Sequence, residues 1–365
     1  MRTTVVGAGP TGLFLGMSLA RRGHHVAIID RDPGPTSSGH WDRKGVMQFA
    51  LPHFFRPQVR SALLAELPEV ADSVLAAGAL LTPVNPTTPD IAGMRMRRVV
   101  FERVLRAAAA QTKGVTMVVG HADEVAIDAG RASGVVVDGT VVDADLVIDA
   151  SGRSGRFADR WRAPAVGGDC GFSYVSRHYQ LRATAEPGPI NAPPGWVGEY
   201  DGYLVIVFLQ DAGTFQVLIV RRSDDDALAT LRHEAAFNLA VQTLPSTSTW
   251  VDQDRAAPTS PPMAGAGLYN AYRGQLSTSG ELAVRGLLFV GDAVLTTNPA
   301  AARGVTTSFM QAQRLLDSVD EHGHDFDSVS LDFDAWCTAT MKPWFDDQVR
   351  GDAGLLSRWR GEPTD

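Results

Sequence analysis

The sequence predicts an α/β protein in which a Rossmann-like domain of parallel strands carries an inserted antiparallel sheet and is followed by a C-terminal helical segment. Three observations predict it. Residues 2–30 read as strand, glycine-rich turn, helix and strand, the unit that joins parallel strands by a right-handed crossover. Residues 168–222 hold strand-like runs separated by turn residues with no helix between them, a pattern that pairs antiparallel. The apolar run Leu287 to Val290 then returns the chain to its first domain and ends in Gly291-Asp292 and a small-residue turn.

The elements follow in order. Residues 2–6 (RTTVV) form a buried strand, and the helix after GAGPTG carries Leu13, Phe14, Met17, Leu19 and Ala20 before Gly23 stops it. HVAIID at 25–30 is the second strand. Residues 31–60 are loop-rich, 57–66 is helical, and 82–93 reads as a proline-rich irregular connection. The segment 97–111 places apolar residues at 100, 101, 104, 105 and 108, the spacing of an amphipathic helix. Strand-like runs come at 115–119, 123–128, 134–138 and 145–149. FSYVSRHYQLR, GYLVIVFLQD and TFQVLIVRR supply the antiparallel sheet, 226–243 is helical, and 252–281 is mostly connection. The C-terminal stretch reads as helix up to Pro343 and again after it.

Composition excludes several classes. A formal net charge of −8 and the absence of a Lys/Arg-rich run argue against nucleic acid as a partner. No apolar run approaches the ~18 residues of a membrane span. The N-terminal strand leads straight into the glycine turn, so it is not read as a cleavable leader, and the expected location is cytoplasmic. Cys170 and Cys337 stand far apart without ligand spacing, so no metal site is expected.

Gly7-Ala8-Gly9-Pro10-Thr11-Gly12 has the dinucleotide fingerprint in its expected setting. Gly7 permits the tight turn, Gly9 lets a pyrophosphate approach the backbone, Gly12 lets helix and strand pack closely, and the helix N-terminus, opened by Pro10, faces the phosphates. Asp30, followed by Arg31 at the end of the second strand, is placed to accept hydrogen bonds from a ribose. Asp149-Ala150-Ser151-Gly152 ends the strand-like run at 145–149, and Gly291-Asp292 ends the run Leu287 to Val290, with Pro299 and Gly304 in the turn that follows.

In this combination the chain resembles the FAD-dependent monooxygenase superfamily: the group A flavoprotein hydroxylases and the related bacterial epoxidases and styrene monooxygenase-like enzymes, with flavin halogenases and geranylgeranyl reductases as further relatives. The resemblance implies a glutathione-reductase-type FAD-binding domain over 1–80, 94–165 and 265–335, a substrate domain over 81–93 and 166–264, and a helical segment over 336–365. It implies that Asp149 and Gly152 lie near the pyrophosphate, that Gly291 and Asp292 meet the ribityl chain, and that Pro299, Ala302, Arg303 and Gly304 place backbone N–H groups near the flavin. Ala302 stands where the family has the first glycine of that turn. Arg98, opening the helix at 98–110, matches a family arginine close to the FAD, and Lys44 to Gln48 with His53 resembles a stretch of the epoxidase-like members.

The function so implied is a monooxygenase, hydroxylating or epoxidising a hydrophobic small molecule with O2 through a flavin C4a-hydroperoxide, with bacterial secondary metabolism as the expected setting. Electrons would come from NAD(P)H or from a separate flavin reductase, since no second glycine fingerprint is present. A geranylgeranyl-reductase-type flavin reductase and a redox-silent FAD-binding protein or cyclase are the alternatives. A halogenase is disfavoured, because no lysine lies between Lys44 and Lys113 and no Trp-x-Trp-x-Ile-Pro stretch is present. On the substrate side, alternation puts Phe172, Tyr174, Ser176, His178 and Gln180 on one strand face, with Ser173, Val175, Arg177 and Tyr179 on the other. Which face is inward stays open, and His178, Tyr179 and Tyr174 are the catalytic candidates.

Overall fold

The computed structural model describes residues 1–85 and 87–362. Two of the boundaries above, 81–93 and 336–365, include Pro86 and residues 363–365, which lie outside the described residues. A five-stranded parallel sheet runs in the order Leu287–Phe289, Leu146–Asp149, Arg2–Val6, His25–Asp30 and Val115–Val119. The late strand therefore does pair into the first sheet. Helices Pro10–Arg21, Arg98–Gln111 and Gly304–His322 cover it, and Phe14 meets Phe309 at 4.7 Å between ring centroids in a core with Val5, Ile28, Phe101 and Leu288.

The second layer is antiparallel: Gly195–Tyr200, Tyr203–Leu209, Thr214–Arg222 and Phe172–Leu181 in that order, flanked by Ala256–Pro258. Its two faces bury different things. Val175, Tyr179, Val205, Val207 and Phe215 pack against Phe237 and Trp250 of the helices Glu234–Thr243 and Pro245–Val251. Phe172, Tyr174, Ile206, Phe208 and Leu218 pack against Leu51, Phe54, Leu268 and Trp359. The second face is thus the one turned toward the turn residues Ala300 and Ala302.

Several expectations are corrected. The expected irregular connection at 82–93 is bounded by strands at both ends: Leu80–Pro83 and Ala92–Arg95 pair with each other, and Phe54–Phe55 pairs with the second of them. The 252–281 connection contains the strands Ala256–Pro258, Met263–Gly265 and Tyr269–Tyr272, each too short to show a period. The helix at 226–243 is broken by a 3-10 turn at Thr230–Arg232. The C-terminal segment is helical on both sides of Pro343, as expected: Phe326–Trp336 passes through a π-helical turn at Cys337–Met341 into Lys342–Trp359, and that turn directly precedes the proline, which has no N–H to give back to it. No helix among the described residues is long and apolar enough to cross a membrane.

Candidate functional site

Strand ends and helix starts converge on a cavity of about 690 Å³. Among its lining residues are Gly7, Gly9 and Pro10 at one end, Arg98, Gly152 and Asp292 in the middle, and Pro299, Ala302 and Gly304 beyond. Asp30 and Arg31 line it as well. The fingerprint glycines divide their labour as their positions require. Gly7 has φ +108°, and a Cβ on it would sit 2.5 Å from the Ala150 carbonyl oxygen. A Cβ on Gly12 would sit 1.9 Å from the Gly7 carbonyl oxygen, so Gly12 serves helix packing and does not line the cavity. A Cβ on Gly9 would meet nothing within 4 Å, because the space beside it is the cavity itself.

Asp292 stands out electrostatically. Its carboxylate lines the cavity without a hydrogen bond or ion pair to any described residue, and desolvation pushes its pKa up, with Arg98 and Arg153 pulling the other way. A carboxylate in that condition suits a ligand that brings hydroxyl donors. The first N–H groups of the helices Pro10–Arg21 and Gly304–His322 have no intrahelical acceptor, and Pro10, Thr11, Gly304 and Val305 all line the same cavity.

Other expected cofactor residues are placed differently. Asp30 directs its carboxylate to the protein: it accepts from the Ala8 N–H at 2.7 Å, the Asp32 N–H at 2.9 Å and Arg43 Nη2 at 2.6 Å. It holds the glycine turn rather than presenting a free carboxylate to a ribose. Asp149 turns into its own loop, taking hydrogen bonds from the Ser151 N–H and Oγ, and does not line the cavity. Gly291, φ +72°, donates its N–H to Gln311 Oε1 at 2.8 Å behind the wall. Arg303 points away, donating to Asp347 Oδ2 at 2.6 Å with its guanidinium 5.3 Å from the Trp344 ring centroid. A motif fixes where the backbone goes, and these side chains were free to take nearer partners.

The three catalytic candidates lie outside the cavity. His178 donates Nε2–H to the Ala50 carbonyl at 2.6 Å, and burial lowers its pKa. Tyr179 stacks on Phe215 on the helix-covered face. Tyr174 reaches the wall only indirectly: its hydroxyl accepts from Gln48 Nε2 at 2.6 Å, and Gln48 lines the cavity. Burial pushes Tyr174 up to about 12, so it is a neutral phenol at ordinary pH. His53 does line the cavity. Its Nδ1–H donates to the Leu51 carbonyl at 2.9 Å, leaving Nε2 to accept from Arg98 Nη1 at 3.3 Å, and burial together with that guanidinium lowers its pKa to about 3.

The sequence reading missed the buried ionic knot behind this wall. Arg43 donates to Glu102 at 2.6 Å, to Asp30 at 2.6 Å and to the Ala8 carbonyl at 3.2 Å, while Arg98 pairs with the other oxygen of Glu102. One signal was available. Glu102 lies beside Phe101 and Leu105 in an amphipathic helix, four residues after Arg98, and it is fully buried.

Ala302 has φ +52°, a left-handed conformation that costs an L-residue roughly 1–2 kcal/mol. Ala302→Gly should relieve that strain, less the greater freedom of glycine in the unfolded chain, and raise stability by roughly 0.5–1 kcal/mol. Chemical denaturation of the two flavin-free proteins checks it. A fall in stability would mean that the surrounding contacts favour the alanine.

Residues 5–67 match the NAD(P)-binding Rossmann-like domain family, and residues 92–161 match the Tryptophan halogenase family. No curated protein sequence matches the chain. Solved structures do. PqsL of Pseudomonas aeruginosa, described as a probable FAD-dependent monooxygenase, superposes with a TM-score of 0.71 at 14% identity over 99% of this chain and 98% of that one. A triple mutant of the flavin-dependent brominase Bmp2 gives 0.71 at 16% identity, covering 94% of this chain and 86% of that one. The myxobacterial chondrochloren halogenase CndH gives 0.67 at 16% identity, covering 98% and 81%. The neighbours show a shared fold: the chain folds like the flavin-dependent monooxygenase and halogenases on which it superposes, and its two domain matches fall within that fold.

Proposed function

We propose that the protein is an FAD-dependent oxygenase acting on an apolar small organic molecule. The carrying observation is Asp292: a desolvated carboxylate without a protein partner, on the wall of one cavity that also holds the Gly9 opening and two helix N-termini. Those features fit FAD. Gly9 and the N-terminus of Pro10–Arg21 would take the pyrophosphate, Asp292 the ribityl hydroxyls, and the turn from Pro299 to Gly304 the flavin ring. When bound, FAD supplies two-electron redox chemistry and the activation of O2.

The chain's own residues shape what happens there. The dipole of Gly304–His322 favours negative charge at its start, and Arg98 adds a fixed cation, held by Glu102 and His53. His53, lowered to about 3, stays neutral and cannot serve as an acid at neutral pH. The cavity also takes in Val46, Met47, Pro52 and Phe54, and Phe54 belongs to the apolar cluster of Phe172, Ile206 and Phe208, which favours an apolar substrate. Gln48, anchored on Tyr174, offers a polar contact to orient it. The PqsL fold has been solved with 2-aminobenzoylacetate, a small organic ligand on the same scaffold. Electrons would come from NAD(P)H docking transiently or from a separate flavin reductase, as befits a chain with one glycine fingerprint.

Halogenation is the second reading, favoured by the match of residues 92–161 to the Tryptophan halogenase family. Against it, no lysine is among the residues lining the cavity. One experiment separates them: reaction under oxygen-18 gas with chloride and bromide present, read by product mass. Oxygen-18 in the product supports the oxygenase. A halogen isotope pattern without the label establishes the second reading, and hydrogen transfer without either would make the protein a flavin reductase.

Gly9→Val checks the cofactor assignment. Gly9 has φ −78° and ψ 178°, which valine adopts readily, so the flavin-free protein should keep its thermal midpoint while FAD binding disappears. Equal flavin occupancy in the variant would remove the assignment.

A further inference from the structure

The turn from Asn298 to Gly304 is held from behind by the C-terminal helix Lys342–Trp359, and the grip centres on one buried carboxylate. Asp352 is 6% exposed, on the far side of the turn from the cavity. Its Oδ2 accepts from Asn270 Nδ2 at 2.7 Å, and its Oδ1 accepts from Asn298 Nδ2 at 3.1 Å and Gln348 Nε2 at 2.8 Å. Two of the three amides it holds, those of Asn270 and Asn298, are themselves anchors of the turn. Asn270 Oδ1 accepts the Asn298 N–H at 2.6 Å, and Asn298 Oδ1 accepts the Ala300 N–H at 3.1 Å. Strand register brings them together: Tyr269–Tyr272 pairs with Leu295–Thr296, Ala271 opposite Thr296, so Asn270 lies level with the start of the turn.

Three amide N–H groups donating to one carboxylate make a directional arrangement that apolar packing would not require. A second tether from the same helix, Asp347 to Arg303, and a third from Arg56 Nη2 to the Ala301 carbonyl at 2.7 Å, fix the other end of the turn. The turn needs holding, because Ala302 sits in left-handed backbone without a glycine's freedom.

We propose that Asp352 is a positioning residue which, through Asn270 and Asn298, sets the shape of the cavity wall from Pro299 to Gly304 and with it the affinity for the flavin. The proposal rests on the flavin reading above and goes beyond it by making the C-terminal helix part of the cofactor site. The alternative is that Asp352 only docks a helix.

The test compares Asp352→Asn with Trp359→Leu in the full chain. Trp359 belongs to the same helix, packs on Phe172 with ring centroids 5.4 Å apart, and its side chain makes no hydrogen bond to any described residue, so its loss weakens apolar docking and leaves the Asn270–Asn298 hydrogen bonds in place. FAD affinity is read by titration, the absorption spectrum of bound flavin is recorded, and backbone amide exchange over 296–305 is measured in the flavin-free proteins. Asp352→Asn is expected to weaken FAD binding about tenfold, shift the flavin spectrum and speed exchange in the turn, whereas Trp359→Leu lowers the thermal midpoint and moves none of the three. Equal effects of both variants, or none from Asp352→Asn, overturn the proposal. Should the parent bind no FAD, the flavin reading fails, and unchanged turn exchange in Asp352→Asn separately ends the positioning claim. Should Asp352→Asn not fold, Asn270→Ser removes the same link from the strand side and is read in the same way.

Discussion

Asp292→Ala is expected to cost the protein its FAD while making the flavin-free chain more heat-stable at neutral pH. Both effects have one origin. The Asp292 carboxylate sits on the cavity wall with no hydrogen bond from the protein, and burial raises its pKa, so without ligand it is a penalty to the fold. With FAD present the same group would accept charge-assisted hydrogen bonds worth about 1.5–3 kcal/mol, a tenfold to hundredfold loss of affinity on removal. The pH dependence has a definite sign. A carboxyl whose folded pKa lies above its unfolded value, near 3.9, binds its proton more readily in the folded state. Its destabilisation is absent below the unfolded value, grows as pH rises through the folded value, and is constant above. The gain in thermal midpoint from Asp292→Ala should therefore be largest above the folded value and vanish as pH falls toward about 4. Calorimetry of the flavin-free proteins across that range, with an FAD titration at neutral pH, checks both parts. Undiminished flavin occupancy would sink the ribityl role, and an unchanged midpoint would show that the carboxylate is already satisfied.

How much was legible in the sequence depends on what each signal measures. The parallel sheet was visible because the strand–turn–helix unit at 2–30 combines a period change with glycines at fixed offsets: Gly7 takes a positive φ, Gly12 lets the helix start pack against the turn, and Gly9 leaves open the space beside it. The same reasoning located the turn after Asp292, including the misfit of Ala302, which adopts the left-handed conformation that a glycine would favour. Side-chain roles were less legible. Asp149 and Arg303 occupy the expected motif positions, yet Ser151 and Asp347 claim their hydrogen bonds. The antiparallel strand at 172–181 could not be oriented by alternation, because Tyr174 and Tyr179, on opposite faces, are 2% and 3% exposed. One face is covered by helices and the other faces the cavity turn, and only tertiary structure distinguishes two buried faces. Arg43 was invisible for another reason. It lies in the aperiodic stretch 31–60, where a lone arginine among polar residues reads as surface, and its three carboxylates come from distant segments and the preceding loop.

Glu102→Leu should produce the largest loss of stability of any single substitution considered, about 3–5 kcal/mol, because it strands two arginines. Glu102 is fully buried and takes Arg43 on one oxygen and Arg98 on the other. Removing it leaves Arg43, only 6% exposed, with Asp30, Asp32 and the Ala8 carbonyl, and leaves Arg98 with His53, whose neutral ring offers one acceptor. The added apolar volume does not compensate, since the charge it replaces was the counter-ion and not a packing defect. Glu102→Gln keeps the shape and one acceptor oxygen, so it should fall between the parent and the leucine variant. Loss of the knot should also reach the cofactor site. Arg43 braces the Asp30 carboxylate that holds the Ala8 N–H, so the glycine turn loosens and FAD affinity declines even in Glu102→Gln. Urea unfolding of the three flavin-free proteins, followed by FAD titration of those that stay folded, measures both consequences. A leucine variant as stable as its parent would mean that water enters to solvate the arginines, and the knot would then be a feature of specificity rather than of stability.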